Sequence, residues 1–249
     1  MDRTQNRVST GLKVNGALDD ASNFSIAQGL RAELRTLGAV KSGIANSVGV
    51  GKVVIAGATG VSNLLADIRA KLTELSNEGI TTAQRNILQN DYNQMLSQAA
   101  SVVANAVFNN INLIESGSTN INTLSNLNGG TLSLTAQSLR PLITSLAGST
   151  FATSTNSQSV ISNPFTNLES LVNSALGSLG AEVQAMELQS SFLTEISDTM
   201  EEGLGNIVDA DMARESAKLT SLQVQQQLSI QTLGIANQRP QFVLGLFRG

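Results

Sequence analysis

The stretch Asp209–Gly249, DADMARESAKLTSLQVQQQLSIQTLGIANQRPQFVLGLFRG, decides how the rest of this sequence is understood. Ala213, Ala217, Val224, Leu228, Ile235, Phe242 and Leu246 recur at steps of 4, 7, 4, 7, 7 and 4, which is one face of an α-helix. Leu219, Leu222, Ile230, Leu233, Ala236 and Val243 form a second, broad stripe. Pro240 is expected to kink the helix near its end. A helix that is apolar on two sides must be buried on two sides, and no neighbouring segment offers a cover. The stretch therefore reads as a surface for partner helices, and it points to assembly rather than to catalysis.

Composition narrows the choice further. The chain has 249 residues and a net charge of −4, so it lacks the positive surplus that nucleic-acid binders place on phosphates. It has no Cys, His or Trp. Thiol nucleophiles, disulfides and thiolate metal sites are thereby excluded, and so is the commonest general base and metal ligand. No cofactor, metal or catalytic residue is expected. Aromatic residues make up 3%, too few for a base-stacking platform. No run of about 20 consecutive apolar residues suggests a membrane span, and Asp2 and Arg3 follow Met1 without the apolar core of an ordinary signal peptide.

Along the chain, helix-like sequence gives way to a polar middle and then returns. Residues 1–16, with Gly11, Asn15 and Gly16, predict an extended, turn-rich lead. Asp19 or Asp20 is placed to cap a helix beginning near Ala21. The register Val40, Ile44, Val48, Ile55, Ala58, Leu65, Ile68, Leu72 and Leu75 continues that helix to a break at Asn77–Gly79. Thr81 or Thr82 caps the next one, with Ile87, Leu88, Tyr92, Met95, Leu96, Ala99, Val102, Val103 and Ala106 on its buried side. A short loop between two helices predicts antiparallel packing. From Phe108 to about Asn163, Ser, Thr, Asn and Gly dominate, and Thr131–Thr135 alternates after Asn128-Gly129-Gly130 as one half of a hairpin. Helical periodicity returns after Pro164 and is expected to stop at Gly203 and Gly205, with Asp209 opening the terminal helix.

One stretch resembles a nucleotide site. Residues 49–60 are rich in glycine and include Gly49, Gly51, Lys52, Gly57 and Gly60. A Walker A loop requires Gly where Asn46 stands and Ser or Thr where Val53 stands. A dinucleotide fold requires a third small residue where Asn63 stands, and then βαβ alternation. The helical register runs on through the stretch, so it reads as a helix whose small residues allow close contact. Asp198, Glu201 and Glu202 cluster, as do Glu187 and Glu195 nearby, and these read as a solvated helix face.

The two ends together carry a family resemblance. Asn6-Arg7-Val8-Ser9-Thr10-Gly11-Leu12-Lys13-Val14-Asn15, followed by Asp19-Asp20-Ala21-Ser22, resembles the amino-terminal signature of bacterial flagellins. Asp209-Ala210-Asp211-Met212-Ala213-Arg214-Glu215-Ser216 and the ending Ile235–Gln241 with Leu246–Gly249 resemble the carboxyl-terminal one. Phe108-Asn109-Asn110 resembles the family's Phe-Asn-Gly. The resemblance implies a mainly α fold, a long antiparallel helical bundle or coiled coil with a small variable region containing a β-hairpin. It implies an amino-terminal helical core at 1–115, built of the lead and two helices, and a short variable outer region at 116–163. A carboxyl-side core helix at 164–202 and a terminal coiled-coil helix at 203–249 complete the division. In the family about thirty residues precede the Asn6–Gly11 motif as a partner helix for the carboxyl-terminal one, and this chain is expected to lack them.

The function so implied is a structural subunit of the extracellular flagellar filament, assembling through its terminal helices for motility and exported by the flagellar secretion system without a cleaved signal peptide. Its implied partners are other copies of itself, a flagellin export chaperone that grips the carboxyl-terminal helix, and the hook-associated proteins. No nucleic acid and no membrane insertion are expected. The assembly contacts are assigned to Leu219, Leu222, Val224, Leu228, Leu233 and Phe242. Asn6, Arg7, Ser9, Gly11, Asp19, Asp20, Asp209, Asp211, Arg214 and Glu215 carry the motifs. A hook–filament junction protein and a flagellin-like cell-surface polysaccharide-binding protein are the alternatives. A nucleotide-binding dehydrogenase around Gly57 comes last.

Overall fold

A computed structural model describes the backbone of residues 2–246 and the side chains of residues 2–235. The fold is mainly α, with long helices packed together and one small antiparallel hairpin. In order the elements are α1 (Asp2–Thr10), α2 (Ala21–Leu75), α3 (Thr82–Asn105), β1 (Ile121–Leu124), β2 (Thr131–Leu134), α4 (Arg140–Ala147), α5 (Ser154–Val160), a π-helical turn (Ile161–Phe165), α6 (Thr166–Val208) and α7 (Met212–Leu246). The chain forms two compact units, one of residues 1–35 and 196–249 and the other of residues 36–195.

The larger unit, 36–195, is organised by one seam on α2. Leu37, Val40, Ile44, Ser47, Gly51, Val54, Ala58, Val61, Leu65, Ile68, Leu72 and Leu75 are all buried. They alternate steps of three and four without a fault, the spacing of a coiled-coil seam. The expected Val48 and Ile55 each lie one place off it and are half-buried, because Ser47 and Val54 take those seam positions. Ser47 satisfies its buried hydroxyl with Thr123 of β1 at 2.5 Å. Gly51 admits Val183 of α6, whose Cγ2 would overlap any Cβ at that position. At Gly57 a Cβ would sit 2.6 Å from that of Ala106. Close approach at these places offsets the roughly 1 kcal/mol that a glycine costs a helix.

The ends of these helices are closed by polar groups. Thr81 caps α3 through a reciprocal pair, Gln84 N to Thr81 Oγ1 at 3.3 Å and Thr81 N to Gln84 Oε1 at 2.9 Å. Arg85 is buried, and it donates to the carbonyls of Leu75 at 2.7 Å and Asn77 at 3.2 Å. A cation on the last carbonyls of α2 complements that helix end. Ile87, expected inside, is 61% exposed, since the buried stripe of α3 runs Arg85, Tyr92, Leu96, Ala99 and Val103. Asn109 and Asn110 adopt φ of 47° and 63°, and Phe108 and Ile111 exchange backbone hydrogen bonds around them. That is a primed two-residue turn, which asparagine tolerates in place of glycine.

The hairpin pairs Ile121 with Leu134 and Leu124 with Thr131. Glu182 of α6 receives the Thr135 N–H at 2.8 Å and its hydroxyl at 2.6 Å. The rest of the middle is more helical than its polar composition predicts. Tyr92 donates to Leu146 O at 3.1 Å and meets the Phe151 ring edge-on at 4.9 Å, which gives α4 and the turn after it a core to pack against. Helix also begins ten residues before Pro164, at Ser154. The π-helical turn absorbs the proline, which has no N–H to give. Arg69 pairs with both oxygens of Glu169 and lies 5.6 Å from the Phe165 ring centre, while Lys52 and Glu187 pair at 2.7 Å.

In the smaller unit, the lead is not extended. Its first ten residues hold no glycine or proline, Asp2 lies in the first turn, and Gly11 at φ 74° closes α1 by donating to Arg7 O at 2.9 Å. Gly203 and Gly205 do not stop α6, because Leu204, Ile207 and Val208 pack with Leu12, Val14, Phe24 and Ala27. α2 also reaches a mean hydropathy of 1.5 over an 18-residue window, long and apolar enough to cross a membrane where no such run was expected. Its glycine, alanine and valine raise the average between polar residues, and 39% of that window is buried within the fold.

Gly51→Leu is expected to destabilise by about 1–3 kcal/mol through overpacking against Val183. Gly180→Ala, with open space at its Cβ, should instead stabilise by up to about 1 kcal/mol. Thermal unfolding of both variants checks the opposite signs.

Candidate assembly surface

The two signature motifs meet in one clasp. Leu12 and Asp209 form an antiparallel bridge. Around it, Ala210 N donates to Gly11 O at 2.8 Å and Lys13 N to Val208 O at 2.7 Å. Lys13 Nζ adds a bond to Asn206 O at 2.9 Å. Gly11 serves here because its left-handed backbone turns the chain out of α1 and into this pairing. α1 then packs against α7, and Arg7 Nη1 meets Glu215 Oε1 at 3.0 Å. The Glu215 side chain is only 12% exposed, so loss of Arg7 would strand a mostly buried carboxylate. Arg7, Lys13, Ala210, Asp211, Arg214, Glu215 and Lys218 line a cleft of about 340 Å³ at this junction.

The acidic motif residues set chain direction. Asp20 caps α2, accepting from Asn23 N at 3.0 Å and Asn23 Nδ2 at 2.7 Å. Asp19 closes the preceding loop by accepting from Asn15 N at 3.1 Å, and it pairs with Arg3 at 3.6 Å. These backbone donors hold both carboxyls below the usual carboxylate range, Asn15 chiefly for Asp19 and Asn23 for Asp20. Asp211, not Asp209, caps α7, accepting from Arg214 N at 3.1 Å. Asn6 and Ser9 are exposed, and Asn6 O accepts the Thr10 hydroxyl at 2.7 Å. The motifs thus supply clasp, caps and turn, and the structure brings Arg7, Gly11, Asp209, Asp211, Arg214 and Glu215 together. Sequence reading missed Lys13, Lys218 and the small core of Val14, Ala27 and Val208. The spacing of Leu204 and Val208, four apart on α6, was the available signal for that core.

Beyond the clasp, α7 has little cover. Leu219 and Leu222 are half-buried. Val224, Leu228, Ile230, Leu233 and Ile235 are 49%, 56%, 64%, 64% and 62% exposed. No charged residue falls between Lys218 and Arg239. The assigned Phe242 lies outside the described side chains, as does the surrounding of Pro240. A helix this apolar and this exposed can gain about 1.5–3 kcal/mol for each such side chain that a partner covers.

Because both Asp carboxyls are depressed in the folded chain, their stabilisation is complete above a pH of about 4 and is lost as pH falls through their lowered values. The protection factor of the Asn23 amide and its neighbours, with the intrinsic exchange rate at each pH divided out, is therefore expected to fall on acidification. Asp20→Asn, which keeps an acceptor, should flatten Asp20's share of that dependence while leaving the cap in place.

Comparison with known proteins agrees with this arrangement. The family model for the bacterial flagellin N-terminal helical region matches residues 1–119, and that for the C-terminal helical region matches residues 166–247. Flagellin FljM of Caulobacter vibrioides is 32% identical over 247 residues, spanning 99% of this chain and 90% of the relative. A flagellin of Brucella melitensis biotype 1 is 32% identical over 263 residues, spanning 100% of this chain and 92% of the relative. Among solved structures, a chain described as a flagellar hook-associated protein of Vibrio parahaemolyticus superposes with a TM-score of 0.63 at 16% identity, over 77% of this chain and all of that one. At that identity the likeness is one of fold, and nothing in it favours the junction or polysaccharide-binding alternatives. The chain belongs to the bacterial flagellins, structural proteins that self-assemble into the extracellular flagellar filament.

Proposed function

We propose that α7 is the element through which copies of this subunit join, with Leu219, Leu222, Val224, Leu228 and Leu233 as contacts between helices and Phe242 assigned with them from the sequence repeat alone. The observation that carries this reading is the run of five large apolar side chains from Val224 to Ile235, each about half or more exposed. Packing a second helix on either stripe removes that surface from water. On this reading 1–115, 164–202 and 203–249 form the assembling part, and 116–163 is the short outward region.

The same exposed helix fits the remaining partners. An export chaperone would grip α7 before assembly, hook-associated proteins would meet the filament ends, and the chain would travel unfolded through the flagellum's own channel. A chain without cysteine or histidine suits that route, having no disulfide or histidine–metal site to trap a fold in transit. The role is structural, with no catalytic step, nucleic acid or membrane insertion.

Leu228→Asp tests the assignment. Leu228 is 56% exposed in the subunit, so the variant should keep its helicity and unfolding temperature. Its critical concentration for filament formation should rise by about tenfold or more, the equivalent of losing one buried leucine. Circular dichroism reads the first and sedimentation the second. Normal assembly of the variant would remove Leu228 from the interface.

A further inference from the structure

The sequence places Asn before Gly twice, at Asn15-Gly16 and at Asn128-Gly129. In such a pair the glycine nitrogen can attack the asparagine side-chain carbonyl, because no Cβ on the glycine hinders the approach. A bond forms between the glycine N and the asparagine Cγ, the nitrogen loses its proton to solvent, and ammonia leaves. Water then opens the cyclic imide at either carbonyl, giving aspartate or isoaspartate. The sum is amide plus water to acid plus ammonia, and no other reactant is needed. By sequence the two sites are equals.

The structure makes them unequal. Both asparagines are exposed, and among the described residues neither the Gly16 nor the Gly129 N–H donates a hydrogen bond. What differs is charge and restraint. Asn15 N donates to Asp19 Oδ2 at 3.1 Å, and Asp19 N donates to Gly16 O at 3.1 Å. The Asn15–Gly16 peptide is thus gripped from both sides and lies against a carboxylate. Attack proceeds through the deprotonated glycine nitrogen, so that carboxylate opposes the anion on which the step depends. Two like charges at such range slow the step about tenfold even in a largely aqueous setting.

The hairpin tip has no such restraint. No charged residue falls between Glu115 and Arg140, and Glu182 and Glu187 of α6 are held by Thr135 and Lys52. Asn126 Oδ1 accepts from Asn128 N at 2.9 Å and from Gly130 N at 2.8 Å. The amides on either side of Gly129 are therefore occupied, and its own is left to solvent. Gly129 is itself exposed and takes a φ of 85°. We propose that Asn128 is a self-modifying site in the folded chain, converting without an enzyme to aspartate and isoaspartate, while Asp19 protects Asn15. Either product places a negative charge in a segment that has none. Isoaspartate also lengthens by one carbon the loop whose ends meet at Ser125 N and Gly130 O, 2.7 Å apart. Ser125 O of that loop accepts the bond from Gln189 of α6.

The test holds the folded subunit at neutral pH for days and maps its peptides by mass and by chromatographic retention, which separates aspartate from isoaspartate. Asn128 should convert about tenfold faster than Asn15. In denaturant, where both pairs are free, the two rates should come together. Asp19→Asn keeps an acceptor for Asn15 N and removes the charge, so it should bring the Asn15 rate in the folded chain up towards that of Asn128. Asn128→Gln, whose longer side chain would have to close a larger ring, should stop conversion at the tip. An Asn15 rate equal to or above that of Asn128 in the folded chain would overturn the proposal. So would an Asn128 rate lower in the folded chain than in denaturant, because the turn would then be shielding the site. An unchanged Asn15 rate in Asp19→Asn would overturn the protection assigned to that carboxylate. None of these readings depends on assembly, so each outcome leaves the α7 interface as it stands.

Discussion

The fold depends on one unbroken alternation of three and four residues on α2, from Leu37 to Leu75. Several elements of the larger unit are placed by what that seam accepts. Where it is small, at Gly51, α6 comes close, and beside it Gly57 admits the segment after α3. Where it is polar, at Ser47, the hairpin supplies the hydroxyl that a buried serine requires. Where it ends, a buried arginine takes the loose carbonyls. A straight helix does not hold a strict seven-residue repeat on one face over this length, so the seam itself calls for partners that wind with it.

The smaller unit works by a different device. It has little apolar core, and its order comes from backbone pairing between two signature motifs far apart in sequence. Gly11 turns the chain, Leu12 and Asp209 bridge, and Arg7 reaches Glu215. This clasp fixes the start of α7 and leaves its described residues from Val224 to Ile235 exposed. The division of labour suits a polymer subunit. In the proposed assembly one part folds on its own contacts and one helix keeps its apolar surface for a neighbour, so the free energy of burial would appear at assembly and not at folding.

Much of this was legible in the sequence, and the failures share a cause. The two-sided apolar pattern of α7, the Thr81 cap and the Thr131–Leu134 strand follow from spacing and local chemistry, and the structure contains them. α1 was missed because Gly11, Asn15 and Gly16 made the whole lead look irregular, though all three lie beyond the helix. Val48 was preferred over Ser47, and Gly51 was passed over, because hydrophobicity alone cannot show that a small or hydrogen-bonded residue occupies a buried place. α4 was not foreseen for the same reason: it packs on Tyr92, which meets Phe151 fifty-nine positions away. Tertiary burial likewise carried α6 past Gly203 and Gly205. The motif residues were identified by resemblance, and only the coordinates gave them their roles as clasp, cap and turn.

The central claim is that α7 is held open in the subunit for a copy-to-copy contact. Hydrogen exchange along α7 in the free subunit and in the assembled filament measures it most directly. The account predicts rapid exchange from about Val224 onward in the subunit and strong protection of the same amides in the filament. Equal, rapid exchange in both states would show that filaments form without burying α7, and would contradict it.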